Sequence, residues 1–64
     1  MKIRIKTYNG EVPDYLTVGR VYEVWQSSDM WSQGIRNDNH DSLVINDLNN
    51  CRHLNGGSWE VVSE

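Results

Sequence analysis

Ten residues, Leu16–Trp25, constrain the fold more than any other part of the chain, because they place a turn glycine directly before the strongest run of β-forming residues. Gly19 can adopt the positive φ that a turn requires. In the β run that follows, alternate side chains lie on opposite faces of a strand, and this alternation assigns Tyr22 and Val24 to the core. Trp25 is then expected on the outer face or at the rim. The stretch predicts a turn and a central strand, and it specifies no chemistry.

Four further segments have the composition or the spacing of short strands. Ile3 and Ile5 alternate with cationic side chains, which is the period-two pattern of a half-buried strand. The Asn and Asp residues at 38–41 favour a tight turn and therefore predict a hairpin around it. In the last segment, Trp59 and Val61 are expected to face inward. The four predicted strands are 2–7, 35–37, 42–45 and 58–62.

This count of strands predicts an all-β domain. Residues 46–57 are irregular: residues 47–50 could form one helical turn, which is too short to stand alone, so we expect no convincing helix. Five strands in a chain of 64 residues can protect their edges only by curling into a barrel. We therefore predict one domain, residues 1–64, with the architecture of a small five-stranded SH3-like barrel. An OB-fold normally requires more residues.

Composition argues against several classes of function. The formal net charge of −3 is unlike that of a generic nucleic-acid binder, which is usually basic. No stretch approaches the ~18 apolar residues of a membrane span, and the alternating charges near the N-terminus do not resemble a signal peptide. Cys51 is the single cysteine, whereas small secreted domains usually pair theirs, so we expect a reducing cytoplasm.

The residues that could bind a metal or perform chemistry have simpler explanations. His40, Cys51 and His53 suggest zinc, but their spacing matches no familiar zinc pattern. The acidic turn at 38–41 is too short for a calcium loop that ends in Glu. A catalytic Cys–His pair would need a water-excluding pocket, for which so small a barrel has little room. We predict no catalytic residue, no metal and no cofactor.

Three pieces of the sequence together resemble a known group of proteins. They are Leu-Thr-Val-Gly-Arg-Val-Tyr-Glu-Val at 16–24, Ile-Arg-Asn-Asp at 35–38 and Trp-Glu-Val-Val at 59–62. In this order they resemble small SH3-like β-barrel proteins of bacteriophages and prophages. The resemblance implies this architecture and a phage origin, and it transfers no catalytic residue. Proteins of this kind commonly bind a host protein, including defence proteins, and block or redirect it, which implies a location in the host cytoplasm.

The residues expected to contact a partner lie in and around one loop. Met30 and Trp31 stand in its middle among Ser, Gln and Gly, where apolar bulk has no obvious folding purpose. Trp25 precedes the loop and Arg36 follows it, and aromatic residues with an Arg nearby are typical of interface hot spots. We predict that these four residues form one patch for a host protein.

Three alternatives stay open for these residues. The aromatic side chains could stack on nucleobases in a nucleic-acid-associated accessory protein, with the row Lys2, Arg4 and Lys6 as phosphate contacts. That row is otherwise a solubilising exposed face. The chain could also be a structural module that works as an oligomer, since its oligomeric state is not specified by the sequence. Finally, Trp31 could fold back to close one end of the barrel.

Overall fold

The computed structural model describes residues 1–29 and 31–63. Within them the only helical segment is the 3₁₀ turn Arg52–Leu54, so the prediction of an all-β protein is confirmed. The strands, in chain order, are β1 (Lys2–Thr7), β2 (Tyr22–Glu23), β3 (Trp25–Gln26), β4 (Gln33–Arg36), β5 (Ser42–Val44) and β6 (Ser58–Ser63).

The strands form two three-stranded antiparallel sheets, in the orders β2-β1-β6 and β3-β4-β5. The predicted central strand is divided between them. Val24 separates β2 from β3, and its N–H donates to the Met1 carbonyl at 2.8 Å. The chain therefore contributes the first half of this segment to one sheet and the second half to the other, which raises the strand count to six. Gly19, in the turn before it, has the predicted positive φ of 91°.

The two sheets do not close into a barrel within the described residues, which corrects that part of the prediction. One backbone hydrogen bond, from the Trp59 N–H of β6 to the Leu48 carbonyl at 2.8 Å, reaches the segment that follows β5. No strand pairing between β5 and β6 accompanies it. A barrel needs a continuous ladder around its circumference. Residues 47–50 form no helical turn, since Asn50 has a left-handed φ of 61° and the 3₁₀ turn begins at Arg52.

The core lies between the two sheets and under the irregular segment. The predicted core residues Ile3, Ile5, Tyr22 and Trp59 are buried, and the rings of Tyr22 and Trp59 meet edge to face at 5.9 Å. Val24 is half-buried, at the junction between the sheets. The buried hydrophobic residues are Ile3, Ile5, Leu16, Tyr22, Ile35, Ile45, Cys51, Leu54 and Trp59.

One inward-facing residue was predicted wrongly. Val61 is 44% exposed, although it pairs with the buried Ile3 across the sheet. Trp59, two residues earlier on the same edge strand β6, is buried, so burial changes along this strand within one period of the pattern. The period-two pattern alone could not indicate where along a strand the core stops.

Trp59 provides a test of this packing. Its buried indole N–H has no hydrogen-bond partner among the described residues, so the side chain stabilises the fold through apolar packing. Trp59→Ala should lower the free energy of unfolding by about 3–5 kcal/mol. Trp59→Phe should lower the free energy of unfolding much less, because it keeps an aromatic ring and breaks no hydrogen bond. Chemical denaturation measures both, and equal losses for the two variants would contradict the account.

Candidate functional site

The candidate surface lies on the β3–β4 hairpin, and its geometry starts from a close contact at Gly34. This glycine pairs with Trp25 across the hairpin. A Cβ at Gly34 would lie 2.0 Å from the carbonyl oxygen of Leu43 on the neighbouring strand and 2.8 Å from the indole atom Cζ2 of Trp25, so glycine is required first by the backbone of that strand and then by the ring. The Trp25 indole N–H donates to the Ile35 carbonyl at 3.1 Å. The ring is therefore half-buried and fixed.

Trp25 and Arg36 line the same groove, which we call the arginine groove. It has a volume of about 430 Å³. Arg36 is exposed, and its Nη1 donates to the His40 carbonyl at 3.1 Å. The structure thus brings together two of the four predicted partner-binding residues. The groove is lined by Arg20, Val21, Tyr22, Glu23, Val24, Trp25 and Arg36.

Trp31 lies on a different surface, and Met30 lies outside the described residues. The Trp31 side chain is 83% exposed. It lines a second groove, of about 310 Å³, with Gln26, Ser32, Gln33 and Asn46. The structure therefore assigns Trp31 to one groove and the pair Trp25 and Arg36 to another. So exposed an indole does not plug the end of the fold.

The loop that carries Trp31 is held by its own polar groups. The Trp31 N–H donates to Asp29 Oδ1 at 3.0 Å, and the Ser27 hydroxyl donates to the same carboxylate. The Ser27 N–H donates to the Ser32 carbonyl at 2.9 Å, which closes the loop. Two hydrogen bonds lower the pKa of Asp29: the larger effect comes from the Ser27 hydroxyl and the smaller one from the Trp31 N–H.

Sequence reasoning missed a polar network around Asp38. Its carboxylate accepts hydrogen bonds from the Tyr22 hydroxyl at 2.8 Å and from the Thr17 hydroxyl at 2.6 Å. It also accepts from Arg20 Nη1 at 3.0 Å. The Tyr22 hydroxyl in turn accepts the Thr17 N–H at 2.8 Å. Thr17, Arg20 and Tyr22 belong to the sequence piece at 16–24, and Asp38 ends the piece at 35–38. The joint occurrence of these two pieces was the signal in the sequence that could have indicated a contact between them.

Asn37 positions Asp38 and its neighbours in the β4–β5 turn. It is buried, at 8% exposure, and its Oδ1 accepts the N–H groups of Asn39 at 2.9 Å and Asp41 at 3.0 Å. This arrangement leaves His40 with a left-handed φ of 65°. The Asp38 N–H donates to the Tyr15 carbonyl at 2.9 Å. The turn is therefore fixed to the loop before β2.

The other sequence candidates are dispersed. Cys51 is buried, His53 Nδ1 lies 3.3 Å from the Tyr15 hydroxyl, and His40 is exposed in its turn. Within residues 1–29 and 31–63, no three His, Cys, Asp or Glu side chains come together as metal ligands. In the basic row, Arg4 forms an ion pair with Glu60 at 2.6 Å, and Lys2 pairs with Glu23 across the sheet.

Comparisons with known proteins do not identify a relative. No protein-family model matches the chain, and neither a curated protein nor a solved structure matches it. In the described part of the chain, no helix is both long enough and apolar enough to cross a membrane. The geometry of the grooves and the polar network therefore carries the functional argument.

The Asp38 network predicts a dependence of stability on acid pH. The Thr17 hydroxyl, followed by the Tyr22 hydroxyl and Arg20, lowers the pKa of Asp38 below its ordinary value of 3.8. Because the folded state binds this proton more weakly than the unfolded state, the contribution is present above about pH 4 and is lost as the pH falls through the folded pKa. Thermal melts of the parent from pH 6 to pH 2 should show this loss.

Asp38→Asn tests whether the Asp38 carboxylate is responsible for this loss of stability in acid. Its melting temperature should be lower than the parent's at pH 6, and the difference should narrow as the pH falls. Asp41→Asn, a change of the same kind at an exposed residue of the same turn, should follow the parent. Some acid dependence remains in Asp38→Asn, because the pKa of Asp29 is also lowered. A constant difference between Asp38→Asn and the parent across the pH range would contradict the prediction.

Proposed function

We propose that this protein is a small, non-enzymatic protein-binding module of the kind made by bacteriophages and prophages. It acts in the host cytoplasm, where it binds a host protein and blocks or redirects it. Defence proteins are among the candidate targets. Its strands have an SH3-like arrangement, and the division of one short stretch of chain, residues 22–26, between the two antiparallel sheets supports this part of the proposal.

The exposed side chain of Trp31 is the observation that carries the proposal. An indole in water forfeits the favourable burial of a large apolar surface, and Trp is among the residues most enriched at interface hot spots. Trp31 is 83% exposed; its N–H donates to Asp29, and the N–H of the next residue, Ser32, donates to the Ser27 hydroxyl. Backbone groups that are already hydrogen-bonded lose less conformational entropy on binding than free ones. Trp31 is therefore suited to insert into a pocket of a partner.

The charges on the first sheet favour a protein partner over a nucleic acid. Two side-chain hydrogen bonds, at 2.8 and 2.6 Å, join Arg4 to Glu60, and Lys2 lies opposite Glu23. The middle cation of the basic row is therefore neutralised by the carboxylate of Glu60 on the neighbouring strand. A phosphate backbone would meet this carboxylate as well as the formal charge of −3.

Trp31→Ala tests the proposal directly. We expect it to weaken partner binding by at least about 2 kcal/mol, about thirtyfold in Kd, without a change in melting temperature. The matched control is Tyr8→Ala, which truncates another exposed aromatic residue, 46% exposed and remote from the hairpin in sequence. Parent and both variants are immobilised in parallel and exposed to host lysate, and captured proteins are quantified by mass spectrometry. Calorimetry then gives Kd for the captured protein.

Three outcomes would each count against the proposal. A Trp31→Ala protein that captures the same partner with unchanged affinity would refute the role of Trp31. Binding to oligonucleotides that falls steeply with salt would favour the accessory protein instead. Self-association without any captured partner, measured by light scattering, would favour the oligomeric structural module.

A further inference from the structure

The chain contains two Asn-Gly pairs, Asn9-Gly10 and Asn55-Gly56, and the fold brings them together. The Asn9 side chain donates from Nδ2 to the Asn55 carbonyl at 3.0 Å, and the Asn55 side chain donates from Nδ2 to the Asn9 carbonyl at 2.7 Å. We call this reciprocal pair of hydrogen bonds the amide clasp. It joins the loop after β1 to the loop before β6, and all four residues are exposed.

An Asn-Gly pair can undergo a reaction that needs only water. The backbone nitrogen of the glycine attacks the side-chain carbon Cγ of the asparagine, the bond from Cγ to Nδ2 breaks, and ammonia leaves with the proton of the glycine N–H. Water then opens the cyclic imide to aspartate or isoaspartate, and nothing is oxidised or reduced. Glycine favours the attack, because it has no Cβ to hinder the approach and its backbone is unusually free to rotate.

The backbone protects Asn55 from this reaction. The Gly56 N–H, which must lose its proton before the nitrogen can attack, donates to the Cys51 carbonyl at 2.9 Å. The Asn55 N–H donates to the Arg52 carbonyl at 3.2 Å, at the end of the 3₁₀ turn. Attack by the Gly56 nitrogen would have to break this turn. Asn55 should therefore react only when the turn opens by local unfolding.

Asn9 lacks the corresponding protection. The Gly10 N–H has no acceptor within residues 1–29 and 31–63, and Gly10 lies outside the strands. The Asn9 side chain donates one hydrogen bond, and it does so from Nδ2, the group that leaves. The attacking nitrogen is therefore available at Asn9-Gly10 in the folded protein, whereas at Asn55-Gly56 it is not.

We propose that Asn9 is a site of spontaneous deamidation in the folded protein and that the reaction opens the amide clasp. Aspartate replaces the Nδ2 donor with a carboxylate oxygen, which cannot donate to the Asn55 carbonyl and is repelled by its oxygen. Isoaspartate also lengthens the backbone by a methylene group in this loop. The modification site lies in neither groove, so this inference does not rest on the proposed function.

The experiment compares the two asparagines in the full chain at mildly alkaline pH. Folded protein and protein unfolded in guanidinium chloride are incubated in parallel, and peptide mapping by mass spectrometry quantifies aspartate and isoaspartate at positions 9 and 55. In the folded protein, position 9 should be converted several-fold faster than position 55. In denaturant the two positions should react at similar rates, because no hydrogen bond then protects Gly56.

Three outcomes of this comparison would overturn the proposal. They are equal rates in the folded protein, no conversion at position 9, and the same preference for position 9 in denaturant, which would assign the difference to sequence alone.

A pair of variants tests the effect on the amide clasp. Asn9→Asp has the charge of the product and should lower the melting temperature. The matched control is Gln26→Glu, which changes an amide to a carboxylate at an exposed residue whose side chain makes no hydrogen bond in the described part of the chain. Gln26→Glu should melt close to the parent. Equal melting temperatures for Asn9→Asp and Gln26→Glu would contradict the opening of the clasp.

Discussion

The hydrogen bond from the Tyr22 hydroxyl to Asp38 is the interaction on which the rest of the structure depends. Tyr22 lies in β2 of one sheet, and Asp38 lies in the turn that joins β4 to β5 of the other. A core this small leaves each sheet with little area to bury, so a polar connection between them has more weight than in a larger domain. Thr17 and Arg20 complete the connection from the loop before β2.

The same network also positions the side chains of the arginine groove. Arg20 is positioned by Asp38 and stands over the Tyr22 ring, which places its guanidinium at the arginine groove. Arg36 is bonded to the turn that presents Asp38. One set of polar contacts therefore fixes the junction of the sheets and orients the cationic side chains of the groove. Trp31 depends instead on its own loop, so the two surfaces can be altered separately.

The sequence was sufficient to predict the all-β class, the turn at Gly19, the β4–β5 hairpin and the burial of Tyr22 and Trp59, because these features follow from local periodicity and turn composition. Other features depend on which distant residues meet. Val24 divides a strand that reads as continuous, and Val61 is exposed although Trp59, two residues before it on β6, is buried. The network at Asp38 joins residues up to 21 positions apart, and periodicity contains no information about such contacts.

The central claim is that the Tyr22–Asp38 hydrogen bond joins the two sheets, and a double-mutant cycle measures it most directly. The free energy of unfolding is determined for the parent, Tyr22→Phe, Asp38→Ala and the double variant. We expect the two changes to be coupled by at least about 1 kcal/mol, because Tyr22→Phe removes the donor and Asp38→Ala the acceptor of the same hydrogen bond. Additive effects of the two substitutions would contradict the claim.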